Sequence, residues 1–178
     1  MPREAEGLGG LQAMLEGLLG RQARTLSPRE LATVLSATAR RKEGGMDTEM
    51  MKELCGWAWR RADGFSPRDI SLTLHALASL EWSDLGLVEK LCRVGLKRVL
   101  DFNLRDVATT LGALARLVKS RSGGEATPAR MLCAELCELA AARTSSLNAR
   151  DTAQTLSAVA RLGVGGERTV ERLCRRAA

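Results

Sequence analysis

The chain has 178 residues, 45% of them hydrophobic and 27% charged, with a net charge of +6 from 27 basic and 21 acidic residues. That size and balance suit one folded domain with a sizeable core, and no apolar run approaches the roughly 20 residues a membrane span needs. Tyr is absent, Phe occurs twice, and Ala, Leu and Arg dominate, which favours helix and argues against a sheet.

In chain order, the first residues, MPREAEGLGG, carry two early acids and no apolar core. They read as neither a secretory signal nor an Arg-rich transit peptide. Residues 8–23 are predicted to form the second helix of a half-repeat. A four-residue pattern follows and recurs along the chain: Leu26-Ser27-Pro28-Arg29, Phe65-Ser66-Pro67-Arg68, Phe102-Asn103-Leu104-Arg105 and Leu147-Asn148-Ala149-Arg150. Its copies lie 39, 37 and 45 residues apart and open the related runs ELATVLSATAR, DISLTLHALASL, DVATTLGALARL and DTAQTLSAVARL. A period of that length is the signature of a helix-pair repeat.

Each copy is a helix start. Ser27, Ser66, Asn103 and Asn148 stand at the N-cap, where their side chains accept from unpaired backbone N–H groups. Pro28 and Pro67 occupy the first helical position, where the missing N–H is no loss. An acid follows three residues after each cap: Glu30, Asp69, Asp106 and Asp151. Glu30 completes a capping box, and the shorter Asp side chains suit the helix dipole. Leu26, Phe65, Phe102 and Leu147 precede the caps and are expected to staple onto Leu31, Ile70, Val107 and Thr152.

The first helix of each pair is predicted to run about 15 residues, roughly four turns. Its core face holds Leu31, Leu35 and Thr38; Ile70, Leu74 and Leu77; Val107, Leu111 and Leu114; and Thr152, Leu156 and Val159. Ala37, Ala76, Ala113 and Ala158 keep one position small, as do Ala39, Ala78, Ala115 and Ala160. Linkers follow at Glu43-Gly44-Gly45, Trp82-Ser83-Asp84, Ser122-Gly123-Gly124 and Gly163-Val164-Gly165-Gly166. Second helices are expected over 47–63, 84–100, 127–144 and 167–178. The fold expected is all-α: an α-solenoid of about four tandem helix pairs, spanning 26–63, 65–100, 102–144 and 147–178, plus the N-terminal half-repeat, in one domain over 1–178.

Cys55, Cys92 and Cys137 each lie ten residues before the next copy of the pattern and each follows a Leu, as does Cys174. A residue held at one place per repeat is expected to be a small buried filler, with neighbouring copies too far apart for a disulfide. Cys174 in turn predicts a further copy just beyond Ala178. Cys133 and Cys137 have helical i, i+4 spacing, but only one His, His75, is present, so a metal site or a His-based acid–base pair is not expected. No phosphate-cradling glycine loop occurs, and the recurring acids are caps. Trp57, Trp59 and Trp82 read as core or staple residues. No enzyme and no cofactor is expected.

Four positions of the first helix form one stripe: Arg29, Thr33, Ser36 and Arg40; Arg68, Leu72, His75 and Ser79; Arg105, Thr109, Gly112 and Arg116; Arg150, Gln154, Ser157 and Arg161. The outer positions are mostly Arg and the inner two vary. A constant scaffold presenting variable readers between fixed cations suits RNA, with Arg on phosphates and a polar pair on a base edge. A solvated helix face free to vary gives the same pattern. Arg60, Arg61, Lys97, Arg98, Arg172, Arg175 and Arg176 read as ordinary C-terminal helix charges.

The segments FSPRDISLTLHALASL and FNLRDVATTLGALARL resemble the octotricopeptide-like repeats of organellar proteins, related to the helical arrays of RAP-domain and FAST kinase-like proteins. The frequent Asn of that family is replaced by Thr33, Leu72, Thr109 and Gln154, and its Trp by Ser36, His75, Gly112 and Ser157. The resemblance implies an RNA-binding solenoid of mitochondria or chloroplasts. It would act on single-stranded RNA or rRNA in transcript stabilisation, processing or translation, with no DNA and no membrane insertion. The departures also permit, as the alternative, an architectural or adaptor subunit of an organellar ribosome or other large complex, holding other proteins of a ribonucleoprotein or the rRNA backbone.

Overall fold

The computed structural model describes residues 24–40, 48–118 and 127–177. These residues are helical throughout their regular structure and contain no strand. The helices are α1 (Pro28–Arg40), α2 (Thr48–Arg61), α3 (Pro67–Ser79), α4 (Leu85–Leu96), α5 (Leu104–Leu117), α6 (Pro128–Ala142), α7 (Ala149–Leu162) and α8 (Glu167–Ala177). The helix expected over 8–23, and the linkers around Gly44 and Gly123, lie outside the described residues. None of the described helices is long and apolar enough to cross a membrane.

The predicted caps are made. Ser66 accepts from the Asp69 N–H at 3.3 Å, and the Asp69 carboxylate accepts from the Ser66 N–H at 3.0 Å. The shorter acid therefore completes a capping box, which the sequence reading granted only to Glu30. Asn103 and Asn148 use the amide instead: the oxygen accepts from the Asp106 or Asp151 N–H, and the NH2 donates to that residue's carboxylate at 2.6 or 2.7 Å. Each such cap contributes about 1 kcal/mol. Phe65, Phe102 and Leu147 are buried ahead of them.

The second helices stop short of their expected ends at 63, 100 and 144. Their last residues tighten into 3-10 turns at Ala62–Gly64, Val99–Asp101 and Thr144–Ser146. Each turn closes on the following apolar residue: Phe65 N–H donates to Ala62, Phe102 N–H to Val99, and Leu147 N–H to Thr144. The tightening drives the Phe or Leu inward just before the next helix begins.

Helices two apart in sequence pack side by side. One row runs α1, α3, α5, α7 and the other α2, α4, α6, α8. Between them lies a continuous core that includes Leu35, Leu54, Leu74, Leu91, Leu111 and Leu136. The row ends depart from the predicted burial. Ala76, Ala113 and Ala158 are buried but Ala37 is exposed, because no described helix precedes α1 in its row. Ala78 and Ala115 are buried but Ala160 is exposed, because no described helix follows α7. Thr38 and Leu156, expected in the core, are half-buried.

Cys55, Cys92, Cys133 and Cys137 are free and buried, as fillers should be. Burial pushes the thiols of Cys55, Cys92 and Cys137 up to about 12 and that of Cys133 up as well. Cys174 corrects the expectation: it is exposed, since α8 packs on α6 and α7 and meets no described helix on its far side.

Two recurring features escaped the sequence reading. Arg61, Arg98 and Arg143 each stand four residues before a buried anchor and reach back to the preceding one. Arg61 donates to the Leu26 carbonyl at 2.7 Å, Arg98 to that of Phe65 at 3.0 Å, and Arg143 to that of Phe102 at a longer 3.5 Å. These carbonyls sit just outside a helix start and have no partner in the helical ladder. The guanidinium thus ties the end of each helix pair to the head of the same pair. Arg61 and Arg98 are structural clamps rather than plain terminal charges.

The second feature is a column of hydroxyls. Thr73, Thr110 and Thr155 lie seven residues after their caps, are fully buried, and leave Oγ1 without a hydrogen-bond partner. The first pair carries Val34 at this place. A buried, unpaired hydroxyl is costly, whereas the isosteric methyl is not. Replacing Thr110→Val is expected to raise stability by about 1 kcal/mol, read as a higher urea midpoint with unchanged slope. Replacing Arg98→Leu is expected to lower it by about 1.5–3 kcal/mol in the same titration, since it removes a charged donor from a partly buried carbonyl.

Candidate nucleic-acid interface

Arg29, Arg68, Arg105 and Arg150 are all exposed at the second position of α1, α3, α5 and α7. Those helices are neighbours in one row, so the four guanidinium groups stand at one register on successive helices. Each is near a helix N-terminus, where unpaired N–H groups add positive potential. The acids of this turn do not cancel it outright: Asp69 and Asp106 are buried and turned onto their caps. Burial raises the carboxyl pKa of Asp106, against the Asn103 hydrogen bond and the charges of Arg68 and Arg105, which lower it.

At the far end of the stripe, Arg40, Ser79, Arg116 and Arg161 are exposed. Arg40 donates to Ser36 Oγ at 3.2 Å. Arg116 crosses to the neighbouring helix and meets His75 Nδ1 at 3.2 Å. With Arg116 as donor, that nitrogen is the acceptor and the imidazole proton sits on Nε2. Burial holds the His75 pKa below its ordinary 6.5, and Arg116 and then Arg40 lower it further.

The inner positions offer fewer reading groups than expected. Ser36 is only 6% exposed and serves as acceptor for Arg40. The hydroxyls of Thr33 and Thr109 donate back to the Arg29 and Arg105 carbonyls, both at 2.8 Å. Leu72 and Gly112 are half-buried and carry no polar side-chain atom, and Gln154 is half-buried. His75, Gln154 and Ser157 remain as groups able to discriminate.

The stripe is not uniform along the row. Between α3 and α5 the His75–Arg116 contact spans the gap. Between α5 and α7 a cleft of about 190 Å³ opens, lined by Gly112, Arg116, Gln154, Ser157 and Arg161 together with Ala115 and Ala158. Gly112 makes this room: a Cβ there would lie 2.8 Å from Gln154 Nε2, so only glycine lets the Gln154 amide rest on α5 without shifting. Among the described residues, no group of three His, Cys, Asp or Glu is placed to hold a metal ion.

No protein-family model matches the chain, and no curated protein matches it.

The depressed pKa of His75 has a consequence for stability. As pH falls below 6.5, a histidine in the unfolded chain takes up a proton that folded His75 resists. Its contribution is therefore intact above that pH and lost below it. The wild type is expected to lose more stability than a His75→Gln variant when urea midpoints are compared on either side of pH 6.5.

Proposed function

We propose that the chain is a solenoid of tandem helix pairs that binds single-stranded RNA along the row α1, α3, α5, α7. The observation that carries this reading is the register of Arg29, Arg68, Arg105 and Arg150, four exposed cations on four neighbouring helices. A regular cationic track suits a phosphate backbone better than a compact ligand. The second line of cations, Arg40, Arg116 and Arg161, gives the track a far rim.

The poverty of free polar groups between the rims sets the style of recognition. Contacts to phosphate and sugar dominate, and sequence preference is weak outside the α5–α7 cleft, where Gln154 and Ser157 face a space bounded by two arginines. The resemblance of the recurring segments to octotricopeptide-like repeats supports a mitochondrial or chloroplast transcript or rRNA as the RNA bound.

The test is fluorescence anisotropy with a random single-stranded RNA pool at two salt concentrations, using the wild type and a variant with Arg29, Arg68, Arg105 and Arg150 each changed to Gln. The wild type is expected to bind more weakly at the higher salt. The variant should lose affinity by at least about tenfold, and its salt slope should fall by about 0.7 for each phosphate contact removed. Binding by the variant equal to that of the wild type, or no binding at low salt, would overturn the reading.

A further inference from the structure

Trp59 is the aromatic side chain that the core does not absorb. It is 48% exposed on α2, while Phe65 and Phe102 are buried and Trp57 and Trp82 are half-buried. This corrects the expectation that all three tryptophans are core or staple residues. An open indole leaves a large apolar area in water, and Trp is among the residue types most enriched at binding hot spots.

Trp59 forms one wall of a cleft of about 440 Å³ between α2 and α4, in the row opposite the arginine stripe. Ligand-binding clefts commonly fall between about 300 and 1,000 Å³. Gly86 and the buried Val94 also line it. The rest of the lining is charged. Lys90 Nζ sits 4.2 Å from the centre of the Trp59 ring and 3.5 Å from the Asp63 carboxylate, so it is already engaged. Arg93, well exposed, reaches the part-exposed Glu89 only at 3.9 Å, a surface pair worth little in water. Lys97 is exposed on the same wall.

The pattern discriminates between polyanions. A nucleic acid strand would bring closely spaced phosphates against Asp63 and Glu89. A peptide suits the site better, because its carboxylates can be spaced to meet Arg93 and Lys97 while an apolar side chain lies on Trp59. We propose that the α2–α4 cleft docks an acidic segment of a partner protein, an apolar side chain flanked by carboxylates. The proposal does not rest on the RNA reading. It gives the second helix row a partner that leaves the arginine stripe uncovered.

The experiment uses the full chain and a fluorescein-labelled pool of short degenerate peptides in which Asp and Glu surround Leu or Phe. A pool with Lys and Arg in place of the acids serves as control. Anisotropy is measured for the wild type, for Trp59→Ala, for Arg93→Glu combined with Lys97→Glu, and for the four-arginine variant. Thermal melts verify that each is folded, and the exposed charge pair supplies a variant independent of any packing by Trp59. Saturable binding of the acidic pool is expected. It should weaken at least about tenfold in both cleft variants, persist in the four-arginine variant, and be absent for the basic pool. No saturation by the acidic pool, or binding by the two cleft variants equal to that of the wild type, would overturn the proposal. So would single-stranded RNA binding that the cleft variants lose, which would give the cleft to nucleic acid.

Discussion

A helix begins where its first free N–H groups find acceptors, and in this chain the same side-chain exchange supplies them again and again. The Ser66–Asp69, Asn103–Asp106 and Asn148–Asp151 pairs fix the first turn of α3, α5 and α7. The buried Phe or Leu before each cap fixes the angle at which the chain enters. The arginine at the far end of the same pair then holds the carbonyl of that apolar residue, as Arg98 does for Phe65. Starting point and entry angle are thus set within a few residues, and the arginine closes the pair on its own head.

That economy explains the form of the candidate interface. The position after each N1 residue must point outward when the cap and staple are satisfied, and it is there that the chain places Arg29, Arg68, Arg105 and Arg150. Their alignment is therefore a by-product of the caps. The middle of the stripe lacks such enforcement. Ser36 turns inward to Arg40, His75 leans on Arg116, and Gly112 lets Gln154 lie across the gap. A track built this way has regular charge and irregular contents.

The helices and their starts were legible in the sequence because caps and staples are local: each depends on residues within about a turn of one another. The filler role of Cys55, Cys92 and Cys137 was legible because a repeating position exposes its own environment. What could not be read depended on residues far apart in the sequence. The reach of Arg98 to Phe65 spans a gap in sequence that no helical period marks, although the recurrence of Arg61, Arg98 and Arg143 four residues before an anchor was a signal that could have found it. The burial of Ser36 and the exposure of Ala37, Ala160 and Cys174 follow from which helix stands alongside. Trp59 was misplaced for the same reason: its helix position says nothing about how far α4 lies from α2.

The contrast among the cysteines carries a practical corollary. Four thiols are sealed in the core, with Cys55, Cys92 and Cys137 held up to about 12, where the nucleophilic thiolate is scarce at neutral pH. Cys174 alone stands open on the last described helix. A maleimide dye added to the native protein therefore has one receptive address out of five, at one end of the helix rows. The molecule comes with a built-in attachment point from which distances to a bound strand or peptide can be gauged by energy transfer, with no residue changed.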